Sequence, residues 1–165
     1  MSFSGMVKEE LSRHIGSGRH CRIAELAGIF TFCGSLVSEP DGKKILRLQT
    51  ENEALARKSF TILQKTFNIE TDVSNSPRGY FRKGNLYCIL LTDEDVVREI
   101  LDSAKLEPSG INGEMLAVSN SLVYQRDCCK RAFIRGAFLS AGSMSDPQKG
   151  YHFEIVCPDE GVGQQ

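Results

Sequence analysis

Sliding the chain 108 residues along itself lays Cys21 to Ser35 (CRIAELAGIFTFCGS) over Cys129 to Ser143 (CKRAFIRGAFLSAGS), and six of the fifteen positions are identical. Average composition would give about one match by chance. A segment present twice implies two related structural units, and this constrains the fold more than any other feature. Both copies read as helices: Ile23, Leu26 and Phe30 follow helical spacing in the first. Gly34 and Gly142 stand where left-handed C-terminal caps are expected. Glycine inside a helix costs about 1 kcal/mol relative to alanine, so Gly28 and Gly136 need a local reason. With Ala24, Ala27, Ala132, Ala137 and Ser140 they form a small-residue face. The expectation is that the two repeat helices pack directly on each other.

The pattern around these helices is mixed. Ser35 to Ser38 and Lys43 to Thr50 read as a hairpin turning at Pro40, Asp41 and Gly42, and Glu51 to Phe67 as an amphipathic helix. Ile69 to Ser74 and Leu86 to Thr92 read as two further strands, joined through Pro77, Gly79 and Gly84. Thr92 and Asp95 resemble a capping box that opens a helix through Val96, Val97, Ile100 and Leu101. The expected order is helix, two strands, helix, two strands, helix, an α+β arrangement over roughly residues 20–106. We divide the chain into residues 1–106 (an N-terminal segment and the first repeat), 107–125 (a linker containing Pro108, Gly110 and Gly113) and 126–165 (the start of a second repeat). Within the linker, Leu116 to Tyr124 is apolar enough to be ordered as a strand or an extended arm. The second copy gives one helix and one hairpin, turning at Asp146, Pro147, Lys149 and Gly150 and returning through Tyr151 to Val156. By its own internal logic this repeat is truncated, which suggests a piece of a longer protein.

Composition removes several classes. The chain has 165 residues, enough for a sizeable core, and its apolar runs are far shorter than the roughly 20 residues of a membrane span. Lys8, Glu9 and Glu10 leave no room for a secretory signal, so a cytoplasmic location without membrane contact is expected. Six cysteines without a Cys-x-x-Cys pair read as free thiols, not a disulfide framework. A net charge of −1 excludes nucleic-acid binding by bulk charge, so any such surface is local.

Leu26 to Gly34 (LAGIFTFCG) resembles the nine-residue LAGLIDADG helix signature of homing endonucleases, and Ile134 to Gly142 (IRGAFLSAG) is a weaker second copy. SFSGMVKEELSR at the start, TENEALARKSF, and the pair Cys128-Cys129 before KRAFIRGAFLSAGSMSDPQKGYHFEIV resemble the WhiA family of bacterial transcription regulators across essentially the whole chain. The resemblance implies a LAGLIDADG homing-endonuclease-like duplication serving a regulator of sporulation or cell division. It also implies a C-terminal helix-turn-helix domain that lies beyond this chain. In active homing endonucleases the last acid of each signature holds a divalent metal for phosphoryl chemistry. Those positions are Cys33 and Ala141 here, and Thr31 and Leu139 replace the earlier acid, so no nuclease activity is expected.

No nucleophile, base and orienter stand together in the sequence. His20-Cys21 and Cys128-Cys129 occupy matching positions in the repeats and invite the thought of a four-ligand zinc site. Adjacent ligands are poor chelates and the usual spacers are missing, so neither a metal nor a cofactor is expected. For double-stranded DNA the candidate contacts are Lys43, Lys44 and Arg47 on the first hairpin, and Arg78, Tyr80, Arg82 and Lys83 on the second, with Phe81 among them. Glu70, Asp72 and Glu154 argue against a DNA-facing saddle. Arg126, Lys130, Arg131 and Arg135 form a second basic cluster at a helix start. The expected role is a catalytically inactive, nucleoid-associated module of a DNA-binding regulator. The alternative is a protein-interaction or self-association scaffold, a homodimer included, built on apolar surface that the truncated repeat leaves uncovered.

Overall fold

The repeat helices meet as their glycines require. In the computed structural model, which describes residues 2–67, 69, 79–111, 113–144 and 153–155, the first repeat helix is α2 (Arg19–Cys33) and the second is α5 (Asp127–Ala141). A Cβ placed on Gly28 would stand 2.3 Å from the Phe133 carbonyl oxygen, and one on Gly136 would stand 2.3 Å from that of Glu25. Both glycines are therefore bare because a neighbouring backbone occupies the place of their side chains. Ala24 and Ala132 are fully buried in the same seam.

The first hairpin is β1 (Gly34–Ser38) and β2 (Lys44–Thr50), antiparallel as expected. Its turn is shaped by Gly42 at φ 89° and by Asp41, whose Oδ1 accepts from Lys43 N at 3.1 Å. The next helix is α3 (Glu53–Phe67). Asn52 caps it, its Oδ1 accepting from Ala54 N at 2.9 Å and Leu55 N at 3.3 Å. Strands β3 (Gly79–Lys83) and β4 (Leu86–Leu91) complete an antiparallel sheet in the order β1-β2-β4-β3. The leading strand of the second hairpin is thus Gly79–Lys83, whereas the Ile69 to Ser74 stretch favoured by β propensity falls almost wholly outside the described residues, as do Glu70 and Asp72.

Helix α4 (Glu94–Ser103) starts one residue later than expected. Its cap is Asp93, whose Oδ1 accepts from Asp95 N at 2.9 Å and Val96 N at 3.4 Å, in place of Thr92. Neither Gly34 nor Gly142 is left-handed: their φ, ψ pairs are −94°, 160° and −89°, 158°, because each is the first residue of a strand entered straight from the helix. A Cβ there would collide with Phe30 or Phe138 within the chain's own last turn. The left-handed residue after a helix is Lys105 instead, at φ 54° behind α4.

The stretch read as a linker is built into the fold. Strands β5 (Leu106–Ser109) and β6 (Met115–Val118) pair as a hairpin, and a short 3-10 turn follows at Ser121–Tyr124. Leu36 N donates to Glu114 O at 2.7 Å, which ties this hairpin to the edge of β1. The second repeat continues as β7 (Gly142–Met144) paired with β8 (Phe153–Ile155), with its turn outside the described residues. The N-terminal segment forms α1 (Phe3–Ser12), capped by Ser2, whose Oγ accepts from Gly5 N at 3.0 Å. One core, with Leu26, Phe30, Leu48, Leu63, Ile89 and Leu116 at its centre, gathers side chains from α2, β2, α3, β4 and β6.

Candidate functional site

Three places in this fold bear on function: the sheet, the C-terminal ends of the signature helices, and their N-terminal ends. On the sheet, the pleat separates residues that the sequence grouped. Arg47 pairs with Leu90, while Arg82 pairs with Tyr87, which is two residues from Ile89 and shares its face, opposite to that of Leu90. Arg47 therefore lies on the face of Ser35, Val37, Ile45 and Gln49, all half-buried, where its Nε donates to Ser35 Oγ at 3.1 Å. Arg82 lies on the opposite face, at the sheet's end, with its guanidinium 5.4 Å from the centre of the Tyr87 ring. Lys43 and Lys44 are exposed at the tip of the first hairpin, and Lys44 Nζ donates to Ser38 Oγ at 2.7 Å. In the register, Tyr80 stands opposite Ile89 and Lys83 opposite Leu86, and Arg78 is outside the described residues. Of the candidate contacts within the described strands, Arg47 and Lys83 thus share one face of the sheet by register, and Lys44, Tyr80 and Arg82 the other.

At the C-terminal ends of α2 and α5, the place of the endonuclease acids holds Cys33 and Ala141. Cys33 Sγ lies 3.7 Å from Ser140 O, and burial pushes its thiol above the usual range, with Lys8 pulling it partly back. Lys8, from α1, has its ammonium 5.6 Å from the centre of the Phe138 ring. Burial holds that ammonium's pKa below the usual value, while Cys33 pulls it partly back up. A thiol, a methyl group and an ammonium do not fit a hard divalent cation.

Between the two ends, Glu25 on α2 is completely buried and held by two cations. Lys58 Nζ from α3 makes an ion pair with Glu25 Oε1 and donates to Leu11 O at 2.8 Å. Arg135 from α5 grips both carboxylate oxygens at 3.2 Å each. Burial lowers the Lys58 pKa, with Glu25 opposing that shift. Arg135 thus turns inward from the basic cluster at the start of α5, while Arg126, Lys130 and Arg131 stay exposed. Glu25, locked in this way, is a structural acid.

At the N-terminal ends, His20 and Cys21 of α2 meet Cys128 and Cys129 of α5, and the donor atoms of all four lie within 4.8 Å of one another. Cys128 Sγ is 3.5 Å from His20 Nε2. Burial, with hydrogen bonding to Cys128, pushes Cys21 up to about 11, and burial raises Cys129 as well. Cys128 is lowered, chiefly by the hydrogen bond from Cys21. An open cleft of about 240 Å³, lined by Lys105, Leu122, Arg126 and others, reaches His20 and Cys129. Spacing alone argued against this cluster, since each pair is adjacent in sequence. The signal that could have found it was the repeat itself: 108 residues separate His20 from Cys128 and Cys21 from Cys129.

Two family models match the chain: the WhiA N-terminal LAGLIDADG-like domain over residues 19–107 and the WhiA LAGLIDADG-like domain over residues 130–165. The chain belongs to the WhiA family. It is 43% identical over 159 residues to the probable cell division protein WhiA of Lachnoclostridium phytofermentans, covering 96% of this chain and 51% of that relative. It is 35% identical over 160 residues to that of Desulforamulus reducens, covering 97% and 49%. The chain therefore spans about half the length of the curated WhiA relatives it matches. The fold is also that of solved WhiA structures. Full-length WhiA from Thermatoga maritima superposes with a TM-score of 0.62 at 21% identity, over 98% of this chain and 46% of that one. The N-terminal LAGLIDADG domain of WhiA superposes with a TM-score of 0.61 at 24% identity, over 97% and 68%. Among the described residues no helix is long and apolar enough to cross a membrane.

Proposed function

We propose that this chain is the N-terminal, non-cleaving module of a DNA-binding transcription regulator of sporulation and cell division, acting at the nucleoid in the cytoplasm. The observation that carries the reading is the state of the signature helix ends. The scaffold that places paired acids over DNA in homing endonucleases is kept here, with Cys33, Ala141 and a neighbouring lysine in their place. Such a scaffold retains a use in holding DNA while offering no oxygen ligands for phosphoryl chemistry. Lys43, Lys44 and Arg47 on one hairpin, and Arg78, Tyr80, Arg82 and Lys83 on the other, are the candidates for contact with the duplex, and since Arg47 and Arg82 face opposite ways, separate variants of the two hairpins tell which group makes it. The helix-turn-helix implied by the family resemblance would supply sequence recognition.

The test is fluorescence anisotropy of the chain with mixed duplex DNA across a salt series, beside two triple alanine variants, one at Lys43, Lys44 and Arg47 and one at Arg78, Arg82 and Lys83. Affinity falling steeply with salt, with a slope reduced by about one for each phosphate contact removed, is the expected result. Undetectable binding at low salt would overturn the assignment. In that case contact with protein is the better reading, favoured by Ile134 and Phe153, apolar side chains 52% and 55% exposed on the second repeat.

A further inference from the structure

We propose that His20, Cys21, Cys128 and Cys129 form a zinc site that clasps the N-terminal ends of the two repeat helices. Tetrahedral zinc with Zn–S near 2.3 Å and Zn–N near 2.0–2.1 Å sets neighbouring sulfur and nitrogen donors about 3.6 Å apart and two sulfurs about 3.8 Å apart. Cys128 Sγ and His20 Nε2 already stand at 3.5 Å, and no pair among the four donors exceeds 4.8 Å. Closing onto one ion needs side-chain movements of about an ångström, within the reach of χ rotations. The donors are the soft and borderline set that zinc prefers, three sulfurs and one imidazole, with no carboxylate among them.

Three further features agree with a metal at this point. Helices α2 and α5 both start without a side-chain cap, whereas α1, α3 and α4 are capped by Ser2, Asn52 and Asp93. Two uncapped helix starts lying beside the cluster each carry about half a positive charge, and three thiolates with a neutral imidazole around Zn²⁺ carry one negative charge in sum. The helix ends and the metal complex thus compensate each other. Second, the cap of α2 is the bare Gly18, and the His20 imidazole lies against it, where a Cβ would stand 2.9 Å from His20 Cε1. Third, the cleft beside His20 and Cys129 provides the entry path that a metal site requires.

The repeat explains why adjacent ligands work here. Each pair occupies the second and third positions of its helix, and the pseudo-symmetry that stacks α2 on α5 brings the pairs face to face. Neither pair chelates well alone. Together they bridge segments 108 residues apart in the chain.

The chain purified under reducing conditions should hold one zinc per molecule by elemental analysis. Replacing zinc with cobalt should give intense visible d–d bands and a near-ultraviolet thiolate-to-cobalt charge-transfer band, the signature of a tetrahedral sulfur-rich site. Cys128→Ser and Cys129→Ser should weaken zinc binding by about 100-fold or more, the upper range for disturbing even the outer ligand shell. Cys88→Ala, in the sheet, should leave the metal content at one. Because serine variants of a structural site can fail to fold, the cobalt spectrum of the unsubstituted chain decides independently. Sub-stoichiometric zinc in the reduced chain, a cobalt spectrum without the charge-transfer band, or full metal content in folded Cys128→Ser each overturns the proposal.

Discussion

At the scale of single residues, the buried charges are the most exposed to loss. Glu25 has no accessible surface and Lys58 has a fully buried side chain, so each depends on the other and on Arg135 for its charge to be tolerated. Glu25→Ala leaves an ammonium inside the core with only the Leu11 carbonyl to accept from it. We expect a loss of about 3–5 kcal/mol, read as a fall in the urea midpoint at unchanged slope. Replacing the pair together, Glu25→Leu with Lys58→Met, should recover most of that loss, since well-packed apolar residues substitute for buried ion pairs at little cost. A single-variant loss below about 1 kcal/mol would show that water reaches the pair. This network was not legible in the sequence. Glu25 falls in an apolar helical stretch with its partners 33 and 110 positions away, and no spacing rule joins them.

At the scale of elements, the sequence was most informative where a residue type had only one physical use. Glycine within a helix predicted close backbone approach, and α2 on α5 is that contact. Gly28→Ala and Gly136→Ala should each lower stability by about 1–3 kcal/mol, because separating two helix backbones outweighs the propensity gain of about 1 kcal/mol. Thermal unfolding followed by circular dichroism measures it, and a variant as stable as the parent would mean that the helices sit farther apart than described. Where a residue type has two uses, the sequence does not choose between them. Gly34 and Gly142 were expected to be left-handed caps, but what they spare is a collision with Phe30 and Phe138 as the chain turns from helix into strand. The left-handed position fell to Lys105, which no propensity argument would choose. Gly79–Lys83 drew no strand expectation of its own, so β3 is an addition, while the Ile69 to Ser74 expectation lies almost wholly outside the described residues. The basic residues stand in the sequence, but the pleat that puts Arg47 and Arg82 on opposite faces depends on a register only the pairing of β2, β4 and β3 reveals.

At the scale of the whole molecule, the repeats do not behave as beads on a string. The segment read as a linker lends Leu116, Val118 and Val123 to the main core, and Leu139 of α5 joins the same cluster. The chain should therefore unfold in one transition, with far-ultraviolet circular dichroism and cysteine accessibility at Cys88 and Cys129 reporting the same midpoint. Two separated midpoints would show that the second repeat unfolds on its own. By the same argument residues 1–106 alone should not yield a stable monomer, since the α2 seam that receives Gly136 and Ala132 would face water. The duplication, the α+β class and the order of elements were legible because they are written in periodicity and self-similarity. The meeting of His20 and Cys21 with Cys128 and Cys129 was written there too, but in the offset of the repeat, which conventional ligand spacing ignores.

The seam between the repeat helices has one more implication, for how the sequence can change. What crowds Gly28 is the carbonyl of Phe133 and the amide nitrogen of Ala137, and what crowds Gly136 is chiefly the carbonyl of Glu25. Main-chain atoms are common to all residues, so no replacement at position 133, 137 or 25 can make room for a larger neighbour across the seam. Damage at either glycine therefore has no local suppressor. Reversion, or stabilising changes elsewhere in the core, are the routes back, and the two positions are fixed independently of one another even though they touch the same pair of helices.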